Sequence, residues 1–531
     1  LGKKYYITTP IYYVNDSPHI GHSYTTIAAD VLARYHRAEG RDTYLLTGTD
    51  EHGIKICQAA AARSMTPGVL ADQVVVHFQD MWKILDIRYD DFIRTSQPRH
   101  RKRVQTLVDR LVKQGEIYPG TYDGWYDEGE EAFVTENTAR ENDYQSKISG
   151  RPLVRHTEEG YFFGIRRWVD RLIEHIESHP EFIMPTSRRN EVLSKLKLGV
   201  EDLCISRRTD KLMNWGIPMP NDRRYSVYVW IDALSNYITA LGYPPEDDGE
   251  KDLYHTCWPA DVHLIGKDIL WFHAVYWPCL LLALDLPLPG TIFAHGWWTN
   301  MGQKMSKSLG NFISKEVILK ICGDFSADYF RYFLLRSVKF GEDGNFSGKK
   351  LTETYDVELA NGIGNLLSRT VKMIERNLSG IIISPPESGS EEEEVIGIAN
   401  KLIGSASDYM NRFKFQIYLN EIINLETATN RYIEKTRPFQ LAGDNSQQER
   451  LARILSTCAE AVRIILLYLR PVMPEKADQG LKMLGVESEG DGAYLLQVKW
   501  GGYTWNRPVR KGKPLFPRKK KVPDYFNFET K

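Results

Sequence analysis

The opening of this chain constrains its fold more than any other feature. Tyr5-Tyr6-Ile7 reads as a strand, Ile20, Ala28, Val31, Leu32 and Tyr35 fall at helical spacing, Gly40 stops that helix, and Thr43 to Thr47 reads as a second strand. Strand, helix, strand is the start of a parallel sheet. Apolar alternation returns at Val227-Tyr228-Val229-Trp230 and at Val262-His263-Leu264-Ile265, each leading into a helical stretch, and Ile292-Phe293-Ala294 reads as one more strand. The sheet is therefore expected to be interrupted and resumed. Between its halves, from about Lys113 to Arg224, the pattern loses βα regularity and becomes rich in Gly, Tyr and charge, as an inserted domain would. Beyond Tyr355 long helical periods, Ala360 to Arg376 and Leu451 to Leu469, predict an α-helical bundle with a polar loop at Ser384 to Glu394. Arg507 to Lys521 is basic and punctuated by Pro and Gly, which predicts an extended arm rather than a packed element.

Length and charge set broad limits. At 531 residues the chain has room for three to four domains and a large core. Its 68 Lys and Arg nearly cancel its 69 Asp and Glu, so any polyanion must be met by local patches. The six cysteines are scattered with no CxxC, which reads as a reducing compartment and argues against a thiolate zinc site. The most membrane-like stretch, Ile269 to Leu284, contains His273 and Pro278 and stops short of the roughly 20 apolar residues a span needs, so a buried helix is expected. The chain opens at Leu1 without Met and runs straight into a strand; the expectation is a leader removed or never included, and no targeting segment can be read.

Pro18-His19-Ile20-Gly21-His22 sits where the first strand hands over to the first helix, with Pro18 suited to the first helical turn. Unpaired N–H groups and partial positive charge make that point a natural phosphate site. Gly21 removes a side chain that would block close approach, and two imidazoles can donate to phosphate oxygens. Downstream, Lys304-Met305-Ser306-Lys307-Ser308 lies between Gly302 and Gly310, and two lysines flanking small residues form a mobile cationic clamp. Alone, each motif has a plainer reading, as structural histidines or a solvated basic loop. Together, on a split parallel sheet, they resemble the HIGH and KMSKS signatures of the class I aminoacyl-tRNA synthetases.

The segments between narrow the resemblance. Thr8-Thr9-Pro10-Ile11-Tyr12-Tyr13-Val14-Asn15, Thr47-Gly48-Thr49-Asp50-Glu51-His52-Gly53, Val229-Trp230-Ile231-Asp232-Ala233-Leu234 with Tyr237, and Gly266-Lys267-Asp268-Ile269 with His273 and Trp277 are similar, in that order, to the methionyl-tRNA synthetases of bacteria and organelles. The resemblance covers essentially the whole chain. It implies an α/β fold: a Rossmann-type parallel-sheet catalytic domain (1–112 and 225–300) split by a connective-peptide domain (113–224). A KMSKS and stem-contact region (301–354), an α-helical anticodon-binding domain (355–506) and the basic arm (507–531) complete it.

The same resemblance implies ligation of L-methionine to tRNA(Met) through a methionyl-adenylate, with ATP as substrate, Mg²⁺ assisting, and pyrophosphate and AMP released. Ile11, Tyr13, Trp230, Ala233, Leu234, Tyr237, Ile269 and His273 would line the methionine pocket, and Asp50 would bind the ammonium. A thioether is polarisable and offers one weak acceptor that a Tyr hydroxyl or His N–H can address. ATP would meet His19, Gly21, His22, Gly266, Asp268, Lys304, Ser306 and Lys307, with His19, His22, Lys304 and Lys307 catalytic and Lys307 the larger contributor. Asp268 would contact the ribose, or cap the helix at Ile269, or both. Asn365 and Arg369, four apart on one helix face, would read the anticodon. Phe439 stands where relatives commonly carry a stacking Trp.

The chain departs from the family in the inserted domain. Many relatives hold zinc there with cysteine pairs; here Asp127 and Glu130, then Ser146 and Ser149, occupy those places, so no structural zinc is expected. A monomer that does not enter membranes, in the mitochondrial matrix or else in a bacterial cytoplasm, completes the expectation. The competing readings are a class I synthetase for another amino acid and a non-catalytic tRNA-binding descendant of one.

Overall fold

The computed structural model describes residues 3–128, 132–134, 136–147, 149–246, 253–300, 302–305, 311–382, 389–487, 492–502, 506–519 and 522–526. The chain divides into two compact units: Leu1–Asp16, Leu46–His77 and Tyr89–Ala294 form one, and Ser17–Leu45, Phe78–Arg88 and His295–Lys531 the other. Two pieces of the amino-terminal region thus group with the carboxy-terminal half.

The first unit is organised by a six-stranded sheet in the order Asp91–Arg94, Thr43–Asp50, Tyr5–Tyr13, Val262–Gly266, Thr291–His295, Ile183–Met184. The first strand runs parallel to Val262–Gly266 with Ile7 opposite Val262, and Thr43–Asp50 runs parallel to Asp91–Arg94 with Thr47 opposite Phe92. Strands from both sides of 113–224 thus share one sheet, in an α/β fold. The first strand is central, and Tyr6, Ile7, Thr8 and Thr9 are all fully buried. Its threonines are compatible with burial because neighbouring strands take their hydroxyls: Thr8 Oγ1 lies 2.6 Å from His263 Nδ1, and Thr9 Oγ1 donates to Thr47 Oγ1 at 2.7 Å.

Three local expectations need correcting in this unit. Val229-Trp230 is helical, not a strand: the strand Asp222–Val227 ends before Tyr228, which precedes the helix Val229–Thr239. Strong β-formers were overridden by packing, since Trp230 stacks on Phe272. The stretch 269–284 is helical but not one α-helix; a 3₁₀ turn Lys267–Ile269, a π-turn Phe272–Tyr276 and an α-helix Trp277–Ala283 follow one another. Pro278 falls in the first turn of the last piece, where its missing N–H is harmless. Within 113–224 the longer strands Ile117–Asp127 and Val154–Phe163 pair antiparallel, but Ile183–Met184 pairs in parallel with Ile292–Phe293 at the edge of the six-stranded sheet. A two-residue strand leaves no periodic signal in the sequence. Among the described residues no helix is long and apolar enough to cross a membrane.

In the second unit the helix Ile20–Ala38 is buried on nearly every side rather than along one stripe. Tyr24 makes edge contacts with His295, Trp298 and Phe340. Asp30 and Arg34 are buried too, and Arg331 from the helix Ala327–Arg336 reaches Asp30 Oδ2 at 2.6 Å. The long helices Gly364–Asn377, Glu393–Asn411, Phe415–Thr436, Gln448–Leu469 and Pro474–Met483 follow. The period expected from Ala360 begins instead as a π-turn, Tyr355–Ile363, kinked at Gly362. Of the polar loop expected at 384–394, residues 384–388 lie outside the described residues, and the helix from Glu393 takes its end.

The arm is also a correction. Arg507–Pro508 pairs antiparallel with Ile381–Ile382, Lys519 N donates to Asp356 Oδ1 at 2.9 Å, and Val509, Leu515, Phe516 and Phe526 are buried. Phe516 faces Gly364, where a Cβ would stand 3.1 Å from its ring. The basic residues that dominate the composition hide a sparse set of apolar anchors, and these pack the arm.

Candidate functional site

In the second unit, His19 is the N-cap of the helix Ile20–Ala38, so Pro18 precedes the cap rather than lying in the first turn. Gly21 N donates to His19 Nδ1 at 3.1 Å, and His19 N donates to His22 Nδ1 at 3.3 Å. This is a capping box built from two imidazoles. A ring nitrogen that accepts must be unprotonated, so each neutral imidazole carries its hydrogen on Nε2. Burial, and then the neighbouring His19, hold His22 well below the ordinary histidine range. The two rings lie 3.9 Å apart. Gly21 also leaves room for the His19 ring, which folds back over the first turn: a Cβ at that position would come within 2.9 Å of it.

The chain after the lysine-rich pentapeptide returns to this point. Ile20 N donates to Ile313 O at 3.2 Å, His19 bridges Ser314, and the His19 and Phe312 rings are 5.1 Å apart. Lys304 ends the strand Gln303–Lys304, opposite Thr299. Ser306, Lys307 and Ser308 lie outside the described residues. The backbone therefore brings the segment that follows the pentapeptide to the two histidines, about 290 residues earlier in sequence.

The other expected ligands lie in the first unit. Tyr237 Oη and His273 Nε2 are 2.6 Å apart, and His273 Nδ1 is 3.0 Å from Ile269 O. A carbonyl only accepts, so Nδ1 carries the hydrogen and Tyr237 donates to Nε2. Burial lowers His273 to about 4, which keeps it neutral. In this structure each of the pair spends its hydrogen on the other or on backbone. What the cluster offers is ring surface: Trp230 stacks on Phe272 at 3.7 Å and 5°, and stands at 84° to His273. The π-turn that includes Phe272 and His273 presents them at adjacent positions, and such bulges recur at functional sites. Ala233 and Leu234 are buried, and Ile11, Tyr13 and Ile269 are half-buried. Tyr13 reaches over Gly53, whose backbone is left-handed (φ 105°) and where a Cβ would stand 2.2 Å from the tyrosine oxygen.

Asp50 ends the strand Thr43–Asp50 and is buried. Burial, the nearby Asp232 charge and Glu51 push its carboxyl well above the ordinary range, while His52 N, 3.4 Å away, and Thr95 oppose that shift. Among the described residues no Lys or Arg pairs with it. Glu51, by contrast, is held by Arg94 at 2.7 and 3.1 Å and by Thr49 at 2.7 Å. Gly266 closes its strand, and Asp268 is exposed inside the 3₁₀ turn Lys267–Ile269, not its cap.

Sequence reasoning gave no role to Phe272, His52, His100 or Asp232. His52 and Asp232 stand inside two of the quoted motifs, and a polar residue in an apolar helical run, as Asp232 is, was the available signal.

Elsewhere, Asn365 and Arg369 are half-buried on the helix Gly364–Asn377, and Phe439 is 59% exposed on the short helix Pro438–Leu441. At the place of the zinc cysteines, Ser146 Oγ accepts from Ser149 N at 3.1 Å and Asp127 is buried, while Glu130 lies outside the described residues. Among the described residues no three His, Cys, Asp or Glu side chains are grouped to hold a metal ion.

A family model described as "tRNA synthetases class I (M)" matches residues 5–371. The methionine–tRNA ligase of Caldanaerobacter subterraneus is 45% identical over 517 residues, covering 97% of this chain and 79% of that protein. That of Rickettsia felis is 43% identical over 488 residues, covering 91% and 93%. The Mycobacterium tuberculosis methionyl-tRNA synthetase in complex with methionyl-adenylate superimposes with a TM-score of 0.90 at 36% identity, over 97% of this chain and 100% of that one. These relatives are bacterial and lend no support to the expected mitochondrial placement.

Proposed function

The chain belongs to the methionine branch of the class I tRNA synthetases, and from that premise we propose that it charges tRNA(Met) with L-methionine through an ATP-derived methionyl-adenylate. One observation carries the assignment of the amino-acid subsite: a buried Asp50 carboxyl to which no Lys or Arg among the described residues is paired, in the unit that also holds the ring cluster of Trp230, Phe272, Tyr237 and His273. Ionising a buried carboxyl of that kind calls for a cation from outside, which an α-ammonium supplies. The rings offer polarisable surface to a thioether.

Methionine's carboxylate is already ionised at neutral pH, so its attack on the α-phosphate of ATP needs alignment and charge stabilisation but no general base. His19 and His22 act as neutral Nε2–H donors toward phosphate oxygens, not as cations, because the capping box holds both Nδ1 atoms as acceptors. Lys304 and Lys307 neutralise the charge that builds on departing pyrophosphate. Asp268 and Gly266 serve the nucleoside. A terminal ribose hydroxyl of tRNA then attacks the adenylate carbonyl and releases AMP. Mg²⁺ bound to the triphosphate would supply further charge neutralisation; among the described residues no three His, Cys, Asp or Glu side chains are grouped to hold it.

Asn365, Arg369 and Phe439 form the anticodon contacts in this reading, and the enzyme works as a monomer in a compartment that makes its own proteins, a mitochondrial matrix or a bacterial cytoplasm. Methionine-dependent ATP–pyrophosphate exchange tests it. Exchange driven by another amino acid would transfer the assignment within the class, and none at all would leave a tRNA-binding protein.

A further inference from the structure

Two carboxylates in the first unit meet at one residue. His52 N donates to Asp50 Oδ1 at 3.4 Å, while His52 Nδ1 lies 2.6 Å from Asp232 Oδ2. On its other side Asp232 Oδ1 is 2.7 Å from His100 Nε2, and His100 Nδ1 is 2.7 Å from Thr239 Oγ1. Asp232, His52 and His100 are all buried. The chain His52–Asp232–His100–Thr239 is thus a closed polar file reaching the Asp50 carboxylate, and the adenylation chemistry above uses none of it.

The charges around Asp50 can be enumerated. On its own strand end lie Glu51, neutralised by Arg94, and His52. The strand Asp91–Arg94 leads to Thr95, which bonds the carboxyl. The helix Val229–Thr239 brings Asp232, and the helix Pro98–Lys113 brings His100 and Arg101, whose Nη1 is 3.3 Å from His52 Nε2. Burial alone would push Asp232 up, yet His52 and His100 hold it down at about 2. It is a fixed anion, and the proton that the pair of carboxylates prefers to share falls on Asp50.

We infer that Asp232, clamped by His52 and His100, is a positioning residue for charge in the ammonium subsite: it makes Asp50 hold a proton while the site is empty and surrender it to solvent when an amino acid's ammonium arrives. Proton and charge balance, since the ammonium enters already charged, Asp50–H leaves as Asp50⁻ plus H⁺, and the ion pair replaces the lost O–H. This rests on the amino-acid subsite proposed above. It adds a consequence, namely that the empty site stays neutral and attracts stray cations less than a bare carboxylate would.

The test is calorimetric titration of the full chain with L-methionine and with 4-(methylsulfanyl)butanoic acid, which lacks the amine, across a pH series and in two buffers of different ionisation enthalpy. The expected result is proton release on binding methionine and none with the amine-free acid, and methionine affinity that falls as pH drops through the Asp50 inflection. In Asp232→Asn that inflection moves to lower pH. At the wild-type midpoint the variant then binds methionine up to about twofold tighter, and each pH unit below it widens the gap by up to about tenfold. If Asp232→Asn does not fold, Asp232→Ser, which removes the same charge with a smaller side chain, shifts the inflection the same way. An unchanged inflection in the folded variants, or methionine binding without proton release at any pH, overturns the inference while leaving methionine activation intact. Failure to bind methionine at any pH, with no pyrophosphate exchange, overturns the functional reading and this inference with it.

Discussion

Replacing Arg331 with Met keeps much of the side-chain volume and removes its guanidinium from the interior of the second unit. Arg331 is fully buried; its Nε donates to Val472 O at 2.9 Å, Nη1 to Leu85 O at 3.0 Å, and Nη2 to Asp30 Oδ2 at 2.6 Å and Pro471 O at 3.1 Å. Stripping one partner from a buried ion pair costs about 3–5 kcal/mol, mostly through the charge left behind. Asp30 is not stranded, because Arg34 Nε at 2.6 Å and Arg88 N at 2.8 Å remain. That retention pulls the ionic share toward the low end. Against it, three carbonyls lose their donor, and an unsatisfied buried group costs about 1–3 kcal/mol. These contributions do not simply add, and the expected loss is about 4 kcal/mol, a large part of the ~5–15 kcal/mol that holds a domain together. The assay is urea unfolding, with amide exchange of the Ala327–Arg336 helix assigning the transition to this unit. Asp30→Asn in the Arg331→Met background should cost about 2 kcal/mol less than it does alone, since one of two cations facing the lost anion is already gone. A loss under about 1 kcal/mol, or strict additivity of the two changes, would refute the claim that this network holds the helix carrying His19 and His22.

The remaining expectations are independent of that network. Lys307→Ala should slow methionine-dependent pyrophosphate exchange by at least about tenfold while leaving methionine affinity nearly unchanged, as steady-state kinetics and equilibrium dialysis would show; a variant with full turnover removes Lys307 from the mechanism. Burial raises Asp328 to about 6 although Lys476 N donates to it at 2.7 Å. A carboxyl raised in the folded state binds more protons there than when unfolded, so the stability this group contributes is fully present below about pH 4 and is lost, by about 3 kcal/mol, as pH rises from there through 6. Asp328→Asn should flatten that slope in pH-dependent denaturation, and an unaltered slope would contradict the burial argument. Phe439→Ala should leave the melting temperature unmoved, given the ring's exposure, yet weaken tRNA(Met) binding by about 5- to 150-fold if the ring stacks on a base. Phe516→Ala should cost about 3–5 kcal/mol, the price of a buried aromatic; a silent mutant would return the arm to solvent.

What the sequence made legible followed from local pattern. The strand opening at Tyr5, the helix entered at Ile20 and the strand at Val262 are each announced by periodicity or punctuation within a few residues, and all three are present. Val229-Trp230 misled because β-propensity is a statement about surfaces, and here the surface was Phe272, about 40 residues away. The arm misled because four apolar anchors are diluted among lysines and prolines, and dilution erases a period without preventing burial. The polar interior is the harder case. Asp30 and Arg331 are 301 residues apart, His52 and Asp232 are 180 apart, and His100 and Asp232 are 132 apart. Nothing near a buried Asp announces its partner. A helix buried along one stripe advertises its solvent face through charge, so Asp30 and Arg34, four apart on Ile20–Ala38, look like an ordinary exposed ion pair. Only where a second cation arrives from another helix does the pair become interior structure. The residues that fix charge inside this fold are therefore those whose local sequence most resembles its surface.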